Sequence, residues 1–217
     1  MASVTTKICG ITRVEDAMNC VDSGADVMGL NFYEKGKRFI SPAAARSIVD
    51  SVSGKISAAG VFVNAPQDQI VDIANTVGLD FVQLHGDEQP NFGTDIKKAL
   101  PDVQLIRAVR IQDDNWDQGI AEAGQWRDCG ADIILLDAAS SHAYGGTGKT
   151  LPWQVLAELS FPRPLWLAGG LTPENVVQAI ESCQPDGVDT ASGVESAPRV
   201  KDHQRVQEFV ARAKSEL

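Results

Sequence analysis

No stretch of this chain is apolar for the roughly 20 residues that a membrane-spanning helix needs. The N-terminal Met1-Ala2-Ser3-Val4-Thr5 has no basic patch followed by an apolar core, so no secretory leader is expected. Positive charge is scarce. Nineteen Lys and Arg stand against 29 Asp and Glu, giving a net charge of -10 and a pI near 4.7. Nucleic acids and anionic membranes both demand a basic footprint, so neither is an expected partner. A small anionic substrate stays open, because one or two arginines and aimed backbone N–H groups make a local positive site inside an acidic protein. There is no C-x-x-C pair. Cys9, Cys20, Cys129 and Cys183 are scattered and read as reduced thiols of a cytoplasmic protein, with core packing expected for the last three. The three histidines, His85, His142 and His203, lack ligand-pair spacing, so no metal is expected. No linker, low-complexity tract or charge block splits residues 1–217, which are read as one domain of ordinary composition.

What the chain does have is a regular alternation. Lys7-Ile8-Cys9-Gly10-Ile11-Thr12 reads as a strand that stops abruptly, presents a cysteine, turns on glycine and caps a helix. Thr12 and Glu15 have capping-box spacing, and Val14, Ala17, Met18 and Val21 have the spacing of one helical face. Further strands are expected at about Asp26–Phe32, Ser57–Val63, Phe81–His85, Gln104–Val109, Asp132–Asp137, Leu165–Ala168 and Gly187–Asp189. Between them fall helices opened by Ser41-Pro42 and by Thr172-Pro173, one carrying Ile70, Ile73, Ala74 and Val77, and others near Gln89–Leu100, Asp113–Cys129 and Trp153–Leu159. A last helix puts Val206, Phe209, Val210 and Ala213 on one face. Eight short apolar strands alternating with helices fit a compact (β/α)8 barrel of α/β class, its parallel strands buried on both faces. A doubly wound open sheet is the competitor, but the turn after the first strand lacks its G-x-G-x-x-G fingerprint.

Side chains alternate across a strand, so Lys7 and Cys9 share a face, as do Phe81, Gln83 and His85, then Ile133, Leu135 and Asp137, then Gly187 and Asp189. Cys9, His85, Asp137 and Asp189 each end a strand at the face where barrel active sites are built. Taken singly, each reads equally well as a cap or a hydrogen-bonded anchor. Two glycine loops, Ala168-Gly169-Gly170-Leu171-Thr172 and Ala191-Ser192-Gly193-Val194-Glu195, follow the seventh and eighth strands. Loops at those ordinals commonly bind phosphate through backbone N–H groups.

Several segments carry a resemblance: Lys7–Thr12, Gly29-Leu30-Asn31-Phe32, Gly60–Asn64, Val82–Glu88, Leu135-Leu136-Asp137-Ala138, Gly145–Lys149, Leu167–Leu171 and Ser192-Gly193-Val194-Glu195. In these, and over nearly its whole length, the chain resembles phosphoribosylanthranilate isomerase, a TIM-barrel enzyme family of tryptophan biosynthesis. The resemblance implies an Amadori rearrangement of a phosphorylated small-molecule substrate with no cofactor, since a protonated imine is the electron sink. It implies Asp137 as general acid and Cys9 as general base. An acid working at neutral pH needs burial or negative neighbours, and a thiol base needs a nearby cation or helix start. The resemblance also implies Arg38 on the anthranilate carboxylate, His85 and Asp189 lining the substrate site, and Gly169, Gly170, Ser192 and Gly193 on the phosphate. Lys35-Gly36-Lys37 replaces the family's usual Ser-Pro pair, making Lys37 a second candidate for the carboxylate. Ala191 lacks a serine hydroxyl common there, and Ala197–Asp202 keeps a Lys-Asp pair without the usual glycine. A monomer or homodimer is expected.

Other readings of the same residues remain. A Cys-His-Asp hydrolase would use Cys9 as nucleophile. A metal enzyme would ligate through His85, Asp137 and Asp189. A phosphate-ligand binder would not turn over at all. An isomerase for a related histidine-pathway aminoaldose is disfavoured by Cys9, which stands where a second aspartate would be needed. His142 and the glycines Gly145, Gly146 and Gly148 suit a lid or a surface loop. Arg107 is either an interior ion-pair partner or a site residue, and His203 reads as surface.

Overall fold

The computed structural model describes residues 4–52, 54–111, 115–138 and 152–215. Eight parallel strands close into a barrel in chain order: β1 (Thr5–Cys9), β2 (Val27–Asn31), β3 (Ser57–Phe62), β4 (Phe81–Leu84), β5 (Gln104–Ile111), β6 (Ile133–Ala138), β7 (Leu165–Leu167) and β8 (Gly187–Thr190). The closing pair sets Lys7 of β1 beside Asp189 of β8. Helices α1 (Val14–Asp22), α2 (Pro42–Val52), α3 (Gln67–Val77), α4 (Pro90–Ala99), α5 (Trp116–Asp128), α6 (Trp153–Leu156), α7 (Val176–Cys183) and α8 (His203–Ser215) follow their strands. A 3-10 turn at Ser192–Val194 and a small antiparallel pair, β9 (Glu195–Ala197) and β10 (Val200–Lys201), separate β8 from α8. The expected TIM barrel is the observed fold.

The apolar core has two compartments. The larger lies between strands and helices and includes Ile8, Leu30, Leu84, Leu136, Val206 and Phe209. The smaller fills the barrel interior with Val27, Ala59, Ile106, Ala108, Ile133, Leu135, Trp166 and Ala168, with Phe81 packed against it. Alternation along each strand sends even and odd positions to different compartments. The interior is therefore a packed floor, and the polar strand ends lie above it.

Some local expectations give way to tertiary contacts. Thr12 does not cap α1. The helix starts two residues later, after Arg13, and the Thr12 hydroxyl donates to the Arg199 carbonyl at 3.1 Å. The buried face of α1 is Asp16, Ala17 and Cys20, whereas Val14 and Met18 are exposed. Asp16 is tolerated inside because its carboxylate accepts from the Lys201 backbone N–H and meets His203 Nε2 at 3.2 Å. His203 is at the surface, as expected, and pairs there with Asp16. Similarly α7 begins at Val176, not at Thr172-Pro173. Asn175 Oδ1 accepts from the Thr172 N–H at 2.8 Å and makes a turn before the helix. Helix α6 stops at Leu156, short of the expected Leu159. Cys20 and Cys183 are buried as expected, and Cys129 is only partly so. His142 and the loop glycines Gly145, Gly146 and Gly148 lie outside the described residues, as does Asp113.

Candidate active site

The strand ends converge on one open cleft at the mouth of the barrel. Cys9, Arg38, His85, Asp137, Gly169, Gly170, Asp189, Ser192 and Gly193 all line it. Every site residue expected from the sequence is therefore at the same mouth. Lys37 is exposed and is not among the lining residues. Arg107 faces the helix layer with Leu105. Its guanidinium bonds Glu88 at 2.7 Å and Glu122 at 2.9 Å and lies 4.5 Å from the centre of the Trp126 ring, so it is an ion-pair residue outside the barrel.

The β1 side of the mouth is a lattice of charges. Lys7 is fully buried, and its Nζ lies 3.0 Å from Asp189 Oδ1. Its charge also acts on the Cys9 thiol, two residues along on the same face of β1. Burial works against the ammonium, but the charges of Asp189 and Cys9 outweigh it and hold the Lys7 pKa above its ordinary value. Burial pushes the Cys9 thiol up, and Lys7 pulls against that rise. Cys20, deep in the core, is pushed by burial up to about 12. The three N–H bonds of a second buried lysine, Lys201, are spent on the Cys9 carbonyl at 2.7 Å, the Ala191 carbonyl at 2.9 Å and Glu195 Oε1 at 3.2 Å. Lys201 thereby ties the end of β1 to the loop after β8.

Glu195 also accepts from Arg38 Nε and Nη2, both at 2.6 Å. That bidentate grip fixes one edge of the guanidinium and leaves the Nη1/Nη2 edge for a second planar carboxylate. Burial alone would raise the Glu195 carboxyl, but its bonds to Arg38 and Lys201 hold it below its ordinary value. The pair lies over Gly10, whose φ of +79° is left-handed and whose missing Cβ would collide with Arg38 Cδ. The conformation that lets the chain turn after Cys9 also makes room for the arginine.

The β4 and β6 side is a line of hydrogen bonds. Gln83 Nε2 meets His85 Nδ1 at 3.0 Å, and His85 Nε2 meets Asp137 Oδ2 at 3.2 Å. A Gln83 amide that donates to Nδ1 leaves Nε2 to donate to Asp137. All three side chains are buried. Although β4 formally ends at Leu84, the His85 N–H still donates to Phe62 at 2.9 Å, which keeps the ring on the inward face.

The loops after β7 and β8 form the third wall. Gly169 and Gly170 both take positive φ, +85° and +62°. The Thr190 hydroxyl donates to the Leu171 carbonyl at 2.7 Å, and a Cβ on Gly193 would run into that same carbonyl oxygen. The two loops are therefore packed backbone to backbone. Among the described residues, no three His, Cys, Asp or Glu side chains are grouped so as to hold a metal.

Sequence reasoning missed four residues here. Lys7 shares a face with Cys9, and Gln83 with His85, but alternation alone assigns neither a role. Glu195 and Lys201 fell within recognised segments yet carried no chemistry alone. A signal was present in Lys7: an isolated lysine at an inward strand position is rarely buried without a partner.

Similarity to known proteins bears on the same mouth. Residues 6–212 match the family model described as N-(5'phosphoribosyl)anthranilate (PRA) isomerase. A relative from Geobacter sulfurreducens, named N-(5'-phosphoribosyl)anthranilate isomerase, is 43% identical over 97% of this chain and 98% of its own length. The crystal structure of phosphoribosyl anthranilate isomerase from Thermotoga maritima has a TM-score of 0.87 at 41% identity, covering 98% of this chain and 99% of its own. A further structure of such an isomerase, in complex with reduced 1-(o-carboxyphenylamino)-1-deoxyribulose 5-phosphate, has a TM-score of 0.83 at 38% identity over 98% and 99% of the two chains.

Proposed function

The chain belongs to the N-(5'-phosphoribosyl)anthranilate isomerase family, and on that premise we propose that it converts N-(5-phosphoribosyl)anthranilate into 1-(2-carboxyphenylamino)-1-deoxyribulose 5-phosphate, a step of L-tryptophan biosynthesis. We take residues 1–217 as one catalytic unit of the cytoplasm, in keeping with a barrel closed between its first and last strands. The observation that carries the reading is the convergence of a thiol, a carboxyl group, an arginine and two glycine loops on one cleft.

In this reading Asp137 gives a proton to the furanose ring oxygen. The C1–O bond breaks, and the nitrogen lone pair forms a protonated imine with C1. Cys9 then takes the proton from C2, and the electron pair moves into the imine to leave an enolamine. Proton gain at C1 and loss from the C2 hydroxyl give the aminoketose. Atoms balance without an external electron acceptor, because the imine nitrogen receives the electrons that C2 releases. His85 orients Asp137 from Oδ2, leaving Oδ1 for the substrate. Arg38 takes the anthranilate carboxylate on its open edge, Asp189 with His85 borders the sugar, and the N–H groups of Gly169, Gly170, Ser192 and Gly193 take the phosphate.

Expression of the chain in a tryptophan auxotroph lacking this isomerase tests the reading. The expected outcome is growth without tryptophan, abolished by Asp137→Asn. Absence of growth despite soluble protein, together with no turnover of the aminoaldose in vitro, rules the activity out.

A further inference from the structure

Lys7 is a full charge placed where packing asks for none. Its side chain is completely inaccessible, and it does not line the cleft. It occupies the inward position just beneath Cys9 on the same strand. A leucine would fill that space without the large desolvation cost of a buried ammonium. The charge therefore has a use in the mouth, and the two groups it reaches are Asp189 and the Cys9 sulfur.

The other charges around Cys9 are accounted for differently. Lys201, from β10, spends its three N–H bonds on two carbonyls and Glu195, so it holds the strand end and reaches the sulfur through its charge alone, behind Lys7 and Asp189 in effect. Arg38, from the loop after β2, is neutralised by Glu195. Asp189, from β8, opposes a negative sulfur and is itself held by Lys7. His85 and Asp137, from β4 and β6, line the same cleft and bond each other. Of these cations, Lys7 is the one on the strand of Cys9, buried two residues beneath it on the same face.

We propose that Lys7 is a positioning residue for Cys9: anchored by Asp189, its ammonium faces the sulfur from below and stabilises the thiolate that accepts the substrate proton. The proposal rests on the reading of Cys9 as the base and adds the group that makes the base available. The burial that lifts the thiol also strengthens a nearby opposite charge, so the lysine works where water does not.

The test reads the thiolate directly and not turnover. The rate of Cys9 alkylation by iodoacetamide is followed against pH, with peptide mass spectrometry separating Cys9 from Cys20, Cys129 and Cys183. Lys7→Met is expected to move the midpoint up by at least about one pH unit. Asp189→Asn, which removes the opposing charge and leaves the ammonium, is expected to move it down. The double variant Lys7→Met/Asp189→Asn has no unpaired buried charge and is expected to fold where Lys7→Met does not. Its midpoint is expected above wild type, since the Lys7 charge acts on the sulfur more strongly than the Asp189 charge that is lost with it. A lysine with a merely structural role leaves the double variant at the wild-type midpoint, and that result overturns the proposal. An unmoved midpoint overturns it even where Cys9→Ser abolishes turnover. A fully active Cys9→Ser variant overturns the base reading, and with it the catalytic use of Lys7, whatever the midpoint does.

Discussion

Around β1, Cys9 is surrounded by charges: Lys7 below it, Asp189 beside that lysine, Lys201 on its carbonyl, and Arg38 gripped by Glu195 above Gly10. Around β6, Asp137 is reached through a short line of hydrogen bonds from Gln83 and His85. The two walls face one cleft and share one floor of apolar side chains. The difference matches the two demands that the proposed roles of Cys9 and Asp137 would make. A group that must become an anion to accept a proton needs cations held out of water, where their field is not screened. A group that must deliver a proton needs an orientation more than a field, and an imidazole at one carboxyl oxygen supplies it.

Breaking each wall separately should show that difference. The largest effect is expected from Asp137→Asn, which keeps the shape and the His85 contact but removes the acid. Turnover should fall by at least about 100-fold with little change in KM, measured by steady-state kinetics on the aminoaldose. Arg38→Met should act mainly on binding. A charge-assisted bond of about 1.5–3 kcal/mol corresponds to a KM increase of roughly 10–150-fold, and a kcat loss larger than the KM rise would remove Arg38 from the carboxylate role. Glu195→Gln should raise KM by less, roughly 3–10-fold, because Glu195 holds the arginine and does not meet the substrate. An unchanged KM in that variant would show that the Arg38 edge is set by something else.

The smallest expected effect lies away from both walls. Asp26 accepts from the Thr6 N–H, the Thr6 hydroxyl and Lys214. Burial alone would raise its carboxyl, but these bonds bring it below its ordinary value. A depressed folded-state value stabilises the protein above the unfolded pKa of about 3.9, and that contribution is lost as pH falls through the folded value. Asp26→Asn should therefore lower Tm by roughly 2–4 °C at pH 7, and the gap should close in acid while kcat at pH 7 stays unchanged. A gap that persists below pH 3 would assign the loss to packing.

Much of this was legible in the residues. The alternation of short apolar strands with amphipathic helices predicted the barrel, and the side-chain period of two put Cys9, His85, Asp137 and Asp189 at its mouth. Local signals failed where a distant segment competed for the same group. Thr12 has capping spacing, but its hydroxyl bonds Arg199, 187 positions along the chain. Asp16, in the first turn of α1, is buried and bonded to Lys201 and His203 from the C-terminal segment. The grip of Glu195 on Arg38 joins residues 157 positions apart, and that of Lys201 on the Cys9 carbonyl joins residues 192 apart. No periodicity encodes such pairs. They follow from closure of β8 against β1, which brings the chain's two ends to one place.

The central claim is that the charged wall serves a thiol that moves the C2 proton. Single-turnover kinetics of Cys9→Ser on N-(5-phosphoribosyl)anthranilate, alongside its affinity for the reduced product analogue, test this most directly. The account predicts a rate at least about 100-fold below wild type with the analogue bound as tightly as before. A Cys9→Ser variant that turns over at near the wild-type rate would contradict it.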